Sequence, residues 1–378
     1  MRAGISWLAR LSAGPRARRI ALAAGLALAA LVFLYGAGWY TLAGRFADGV
    51  RAFLDVRQGE GVTLAYADIA LGGFPGRLEA RLIAPTATLA LARNTWIWRP
   101  ARVTFSARPW SVERVTLDLS GEHAVAPADA SGLPRWKAAA RTLELEARIA
   151  GGEVAALALR GRDFQLDDRA GGEEFALRQL RADWRRAEIQ PADPRPERDA
   201  NEYARRDSPP RPDRLRASQS FEALAEGIRL PPAARLLLAD EIGRLAFAGR
   251  VMGRLAPDAA AEALRRWRDD GGTVELGRIE VRYGALALVG EGTLALDGDF
   301  QPVGAFTARI EGYAETLDAL REAGAMSGRD AFTAKMVLTA LARREGEGRP
   351  YLTIPLSLQE RRLYAGPVAL LTVPALSW

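Results

Sequence analysis

An uncharged run at residues 20–42, IALAAGLALAALVFLYGAGWYTL, constrains this chain more than any other feature of its sequence. At about 1.5 Å of rise per residue, a helix of this length would span roughly 35 Å, enough to cross a hydrocarbon core of about 30 Å. Five arginines precede the run, and the first acidic residue is Asp48. By the positive-inside rule, we expect residues 1–19 to stay cytoplasmic and everything after residue 42 to be exported.

A second interpretation of the same segment is a cleaved secretory signal peptide. The basic head and the small residues Gly36, Ala37 and Gly38 are compatible with cleavage. The run is longer than the usual signal-peptide core of roughly 7–15 residues, and Trp39 and Tyr40 fall where an aromatic belt would lie. The sequence therefore favours an uncleaved, single-pass anchor of the inner membrane over a signal peptide or a buried core helix. Both the anchor and the signal peptide predict a periplasmic body.

The exported body has the composition of a folded protein and carries almost no net charge. Apolar residues make up 49% of the chain, which excludes a wholly disordered protein. Five of the six net positive charges lie in the basic head, so the charge of the body does not favour a nucleic-acid partner. The chain has no cysteine and one histidine, which excludes disulfides, thiolate metal sites and histidine-rich metal sites. No metal or cofactor is predicted.

Alternating apolar residues predict that antiparallel strands dominate the body. After residue 61 the alternation comes in short runs separated by Gly, Pro or Asp, which is typical of a meander with one buried face. The alternation slips between Tyr66 and Ile69, which predicts a turn or bulge, and it changes phase again between Leu276 and Ile279. The predicted fold class is α+β, with an N-terminal transmembrane helix followed by curved antiparallel β-sheet and a few helices.

A run rich in proline and charge divides the exported part. Residues 185–216 contain few large apolar side chains, so they cannot bury enough surface to offset chain entropy. They predict a flexible linker or insertion. On this interpretation residues 1–19 form the cytoplasmic head and 20–42 the membrane helix, while 43–184 form a β-rich half and 217–378 an α+β half.

Helical periodicity appears in four places outside the membrane segment. The spacing of Phe46, Val50, Phe53 and Leu54 predicts that the membrane helix continues for a few turns beyond residue 45. Three further helices are predicted at residues 257–270, 313–320 and 329–343. Between them, Asp297-Gly298 is a strong signal for a hairpin turn.

Several motifs resemble those of the domain of unknown function 2125 family. They are WRDDGG at 267–272, YG at 283–284, GTLALD at 292–297, QPVG at 301–304, GFP at 73–75 and IPLSLQERRLYAGPV at 354–368. The charged turn Glu360-Arg361-Arg362 replaces the glycine turn expected after the last strand. The resemblance extends from the membrane segment to the C-terminus and implies a membrane-anchored, exported protein of alphaproteobacteria. The motifs are also similar in style to the AsmA-like group, which implies envelope maintenance and lipid handling.

No arrangement of polar residues predicts a catalytic site. The single histidine, His123, lies in the loop-like segment SGEHAVAP, and we expect it at the surface without a partner for nucleophilic catalysis. Adjacent carboxylates such as Asp167-Asp168 and Asp269-Asp270 are typical of solvated turns, and on a strand they would point to opposite faces. The chain is therefore predicted not to be an enzyme, and a carboxylate-dependent hydrolase is the least favoured function.

Trp96 and Trp98 are the candidate ligand-binding residues. Their i, i+2 spacing would place both rings on one face of a strand. We expect this face to help line an apolar groove, with ordinary aromatic core packing as the alternative. The expected function is to bind or shuttle phospholipid or another apolar ligand in cell-envelope maintenance. The alternative is a non-enzymatic scaffold that binds envelope proteins through a sheet edge or the linker.

Overall fold

A computed structural model describes residues 15–56, 62–91, 94–128, 135–168, 174–187, 216–231, 237–255, 260–346, 348–365 and 368–376. Within these residues there are four helices: α1 (Pro15–Val56), α2 (Ala260–Asp269), α3 (Tyr313–Glu322) and α4 (Gly328–Leu341). The described strands of the first half are β1 (Val62–Ala65), β2 (Asp68–Gly72), β3 (Leu78–Ile83), β4 (Thr86–Leu91), β5 (Asn94–Pro100), β6 (Val103–Arg108), β7 (Ser111–Asp118), β8 (Gly121–Pro127), β9 (Trp136–Ala150), β10 (Glu153–Asp168) and β11 (Glu174–Arg186). Those of the second half are β12 (Ala217–Arg229), β13 (Ile242–Met252), β14 (Thr273–Tyr283), β15 (Leu286–Leu296), β16 (Pro302–Glu311), β17 (Tyr351–Gln359), β18 (Arg362–Ala365) and β19 (Val368–Thr372).

All the described strands belong to one antiparallel sheet with a simple order. From β9 to β19 each strand pairs with the strand that precedes it in the chain. Before β9 the same meander continues, but each long strand is interrupted near its middle and becomes two short ones. In one half of the interrupted strands, β1 pairs with β4, β4 with β5, and β5 with β8. In the other half, β2 pairs with β3, β3 with β6, and β6 with β7. Both β7 and β8 pair with β9.

The interruptions change the phase of the strands and keep the apolar residues on one face. Leu82 in β3 and Ala87 in β4 are both buried, although they are five positions apart in the sequence. In a regular strand they would point to opposite faces. Ala84 lies between them with a φ of 48°, in the left-handed region, and supplies the extra residue that restores the phase. Asp163, with a φ of 49°, occupies the corresponding position inside β10.

The main buried core lies between α1 and the first strands of the sheet. The C-terminal half of α1 presents Ala47, Val50 and Leu54 at helical spacing, and these pack with residues of β2, β3 and β6. One turn nearer the N-terminus, Trp39 and Ala43 cover Leu78. The N-terminal half of α1 is different, because its large apolar side chains from residue 22 to residue 35 are exposed. The helix therefore packs one half against the sheet and, apart from Tyr35, leaves the apolar side chains of the other half uncovered by the described residues.

The smaller helices lie at the ends of strands in the second half of the chain. The ring of Trp267 in α2 is buried, and its Nε1 donates a hydrogen bond of 2.8 Å to the Met252 carbonyl. Gly272 is required beneath this ring, since a Cβ at that position would lie 2.3 Å from it. In α4 the N-cap Ser327 side chain accepts a hydrogen bond from the backbone of Asp330. Helix α3 packs against α4 and β15.

The fold class predicted from the sequence is confirmed, with an apolar N-terminal helix followed by a large, open, curved antiparallel sheet. The continuation of the membrane helix is confirmed as far as Val56, and the helices at 313–320 and 329–343 correspond to α3 and α4. For the first predicted helix, residues 256–259 lie outside the described part, and α2 begins at Ala260. Residues 188–215 of the predicted linker also lie outside it. The strands on either side, β11 and β12, pair directly, so one sheet continues across this segment.

Substitution of Leu78 tests the packing of α1 on the sheet. Leu78→Ala should lower the free energy of unfolding by about 3 kcal/mol, because it opens a cavity beneath Trp39 and Ala43. Ile83→Ala in the same strand is the matched control, since Ile83 is exposed and its loss should cost about 0.5 kcal/mol or less. Urea unfolding of the whole chain in mild detergent measures both. Equal effects of the two substitutions would contradict this packing.

Candidate functional site

Directly paired residues of neighbouring strands form a single row of apolar or small side chains across the sheet. Opposed residues of an antiparallel pair point to the same face, so the register allows the row to be followed from strand to strand. We call it the apolar row, and its members are Leu78, Ala107, Val115, Ala147, Leu157, Trp184, Phe221, Gly249, Leu276, Gly292, Phe306 and Leu356. At about 4.8 Å per strand, it crosses roughly 50 Å of sheet.

Most of the apolar row is uncovered in the part of the chain that the structure describes. Leu78 is fully buried beneath α1. Further along the row, four large side chains remain partly exposed: Trp184, Phe221, Leu276 and Phe306. Phe247 lies on the same face with its ring 6.4 Å from that of Phe221, and it is 47% exposed. An apolar surface of this extent is typical of a ligand groove or an interaction site.

Glycines in the row allow the large side chains to lie close to the sheet. A Cβ at Gly249 would lie 2.9 Å from a ring carbon of Phe221, and one at Gly292 would lie 2.4 Å from a ring carbon of Phe306. The aromatic rings therefore cover the neighbouring glycines. The result is a shallow apolar surface in which large side chains lie beside glycines. A chain-like ligand can contact this surface along its length.

Trp96 and Trp98 lie on β5, with both side chains half-buried on one face. Trp98 pairs with Ala87, and Ala87 pairs with Leu64, which packs against the core beneath α1. The two tryptophans therefore share the face of the apolar row. The ring of Trp96 lies 4.9 Å from that of Trp136, so part of this aromatic surface is used for packing within the sheet.

The prediction for His123 is wrong. His123 does not lie in a surface loop but within β8, where it is buried and stacked on Trp98 at a ring separation of 5.8 Å. Burial lowers the pKa of His123, and a contact with the Leu119 backbone offsets only part of this shift. Neither ring nitrogen makes a hydrogen bond of good geometry with the described residues. The imidazole is therefore neutral near pH 7 and serves the packing of this aromatic cluster.

The opposite face of the sheet is charged and extensively ion-paired. Its centre is Glu280, which is only 6% exposed. An oxygen of this carboxylate lies 2.5 Å from Arg278 Nη2, and the other lies 3.1 Å from both Arg244 Nε and Arg282 Nε. Arg244 also pairs with Glu226 on β12. The hydrogen bond from Arg278 and the positive charge of Arg244 outweigh the effect of burial and lower the pKa of Glu280.

A shallow trough of about 1240 Å³ runs over this charged face from β10 to β17. Its wall contains Arg160, whose Nη2 lies 2.7 Å from Asp183 Oδ1, and further charges of both signs such as Glu222 and Arg250. Within the described ranges, Glu280 is the one buried acidic residue. Its lowered pKa keeps the carboxylate ionised, which does not suit it to donate a proton as a general acid. No group of three or more His, Cys, Asp or Glu side chains in those ranges could hold a metal ion.

The sequence predicted Trp96 and Trp98 as ligand-binding residues, which stays a prediction, and it missed the residues that form the longest uncovered part of the same face. Apolar alternation alone places Leu276 and Phe306 each on one face of its own strand. It could not bring them into line with Phe221 and Trp184, because that alignment depends on the register of five successive strand pairings. The glycines opposite the large side chains were the available signal, since Gly290 and Gly292 interrupt an otherwise apolar strand.

The fold and its faces define a class of protein. A helix that is long and apolar enough to cross a membrane leads into one open antiparallel sheet with an apolar and a charged face. The chain belongs to the family described as uncharacterized protein conserved in bacteria (DUF2125), whose model matches residues 39–374. The match begins at Trp39, where α1 first becomes buried against the sheet. No curated protein and no solved structure matches the chain.

The charge network around Glu280 predicts a pH-dependent contribution to stability. Glu280→Gln should lower the free energy of unfolding by about 2 kcal/mol at pH 7, because it removes charge-assisted hydrogen bonds and leaves the arginines facing one another. Since the pKa of Glu280 is lowered from 4.5 in the folded protein, this contribution is fully present above pH 4.5. It is lost as the pH falls through the lowered pKa.

Urea unfolding of the unmodified protein and of Glu280→Gln at a series of pH values measures the difference in their free energies of unfolding. Glu291→Gln is the matched control, because Glu291 is exposed on the same face in the next strand, β15. Its substitution should change the free energy of unfolding by about 0.5 kcal/mol or less at every pH. A Glu280→Gln effect that grows as the pH falls would contradict the assignment.

Proposed function

We propose that this protein is anchored in the inner membrane by α1 and exposes its sheet to the periplasm, where it binds or shuttles a lipid or another apolar ligand for envelope maintenance. The observation that carries the proposal is the apolar row, whose large side chains the described residues leave uncovered over many strands. Apolar surface in water is unfavourable by about 25 cal/mol for each Å². A bound acyl chain would remove that surface from water without requiring a second layer of protein.

The membrane anchor is supported by the different exposure of the two halves of α1. Side chains such as Leu26, Leu31 and Phe33 are more than half exposed, as is expected of residues that contact lipid. The same helix continues without a break to Val56 and packs against the sheet from Trp39 onward. Cleavage after the small residues 36–38 would leave the part of α1 that covers the core, but it would remove Tyr35 and its hydrogen bond to the Pro75 carbonyl, so this contact favours an uncleaved anchor over a signal peptide. The arginine-rich head favours a cytoplasmic N-terminus and a periplasmic sheet.

An acyl chain is the occupant that best fits the surface. The apolar row is long and narrow and has no polar group at its centre, which suits a linear hydrocarbon more than a compact polar substrate. Trp96 and Trp98 extend the same face beyond β9 and remain candidates for contact with the ligand. The charged face behind the row keeps the other side of the sheet in water. We therefore infer binding rather than catalysis.

Native mass spectrometry of the whole chain in mild detergent, combined with lipid extraction, tests this proposal. The unmodified protein should carry phospholipid in a fixed ratio. Replacing both Phe221 and Phe306 by Asn should remove most of it, because polar side chains would interrupt the row, and the pair Trp96→Ser and Trp98→Ser should weaken binding at the other end. The matched control replaces Glu222 and Thr307, on the opposite face, by Gln and Ser. A lipid-free mass for the unmodified protein, or equal losses in all variants, would contradict the proposal.

The alternative function is a scaffold for other envelope proteins, and the open ends of the sheet favour it. Each of β2 and β19 pairs with one neighbour among the described strands, so each leaves a backbone edge available to another strand. The first edge also includes β1, whose one partner among the described strands is β4, and β2 and β19 are five residues long each. Crosslinking of a protein partner to residues of β2 or β19, in a protein that carries no lipid, would favour the scaffold over the lipid-binding function.

A further inference from the structure

Aromatic side chains join α1 to the first hairpin turn of the sheet. The turn at residues 73–77 packs against one side of the helix, where the Phe74 ring lies 6.1 Å from that of Tyr35 and 5.3 Å from that of Trp39. The Tyr35 hydroxyl donates a hydrogen bond of 2.6 Å to the Pro75 carbonyl. Trp39 Nε1 donates one of 2.9 Å to the Arg77 carbonyl. The turn therefore has a fixed height along the helix.

That height corresponds to the far boundary of the membrane. Counted from Ile20, the first residue of the uncharged run, Tyr35 lies about 22 Å and Trp39 about 28 Å along the helix axis, whereas the hydrocarbon core is about 30 Å thick. Tilting the helix would place Tyr35 deeper still. A turn that is hydrogen-bonded to Tyr35 and Trp39 must then lie at the level of the interface between hydrocarbon and headgroups. Phe74 is 52% exposed at this level.

A second turn lies beside the first and carries an exposed tryptophan. Because Leu78 pairs with Ala107, the turn that follows β6 is at the same end of the sheet as the turn that precedes β3. It contains Trp110, which is 70% exposed. The arginines next to the two turns, Arg77 and Arg108, are also exposed. Aromatic rings beside arginine side chains are typical of the membrane interface, where the rings enter the headgroup layer and the guanidinium groups pair with phosphates.

We propose that the turns at residues 73–77 and 109–110 dock into the interface of the same bilayer that α1 crosses, with Phe74 and Trp110 inserted. The sheet is then held upright on the membrane at two neighbouring points besides the helix. The apolar row starts at Leu78, immediately after the first docked turn, so its nearest strands lie next to the lipid surface. A lipid could pass from the bilayer to the row with little exposure to water. The inference rests on the membrane anchor of the proposed function, but it does not require that the row bind lipid.

Single cysteines allow a direct test, because the chain contains none. Phe74→Cys and Trp110→Cys are labelled with an environment-sensitive fluorophore in the full chain, which is reconstituted in vesicles of phosphatidylethanolamine and phosphatidylglycerol. Leu28→Cys, in the exposed apolar half of α1, reports insertion of the helix. Ala285→Cys is the matched control, since it lies in an exposed turn at the other end of the strands. Lipids with a nitroxide near the headgroup provide the quencher, and thermal unfolding of each labelled protein confirms that it is folded.

We expect labels at 74 and 110 to show blue-shifted emission and to be quenched by the headgroup nitroxide, while the label at 285 behaves as in water. If the label at 28 is inserted but the labels at 74 and 110 behave like the one at 285, the docking is wrong and the anchor stands. If the label at 28 is also in water, both the anchor and the docking are wrong. Because two separate turns are probed, distortion of one by its substitution leaves the other as an independent measurement.

Discussion

Backbone hydrogen bonding between successive antiparallel strands holds this molecule together, because most of the described sheet has no second layer of protein over its apolar face. In an ordinary α+β domain, helices cover the apolar face of the sheet and their packing supplies much of the stability. Here α1 covers only the first strands. Elsewhere the sheet depends on contacts within each of its two faces, such as Phe221 over Gly249 on one face and the Glu280 charge network on the other. The apolar row is thus open as a consequence of the architecture.

The sequence predicted the parts of this fold that depend on local periodicity. The α1 helix, the alternating strands and the phase slip near residue 67 all follow from the spacing of apolar residues, and the structure has β1 and β2 separated at that slip. The hairpin at Asp297-Gly298 and the helices α3 and α4 also follow from local signals. In each case the information lies within a few residues, because turn geometry and helix periodicity are local properties.

The site was less predictable, because it depends on relations between strands that are distant in sequence. The spacing of Trp96 and Trp98 correctly placed both on one face, but nothing local indicated that Trp136 and His123 would pack beside them. His123 follows a serine and a glycine, which is typical of a loop, yet pairing with β5 and β9 makes its segment a buried strand. Strand pairing overrides local turn propensity when both neighbours are present. The part of the apolar row from Trp184 to Phe306 was unpredictable for the same reason, because it depends on the register of several strand pairs.

The central claim is that the apolar face, and not the charged one, contacts lipid, and adjacent residues of one strand can test it. Phe221 and Glu222 point to opposite faces of β12. A photo-reactive amino acid introduced separately at each position in the full-length protein, and activated in intact cells, would capture whatever lies against that face. Our account predicts a phospholipid adduct at residue 221 and none at residue 222. Adducts of equal yield at both positions, or a protein adduct at residue 221 with no lipid, would contradict it.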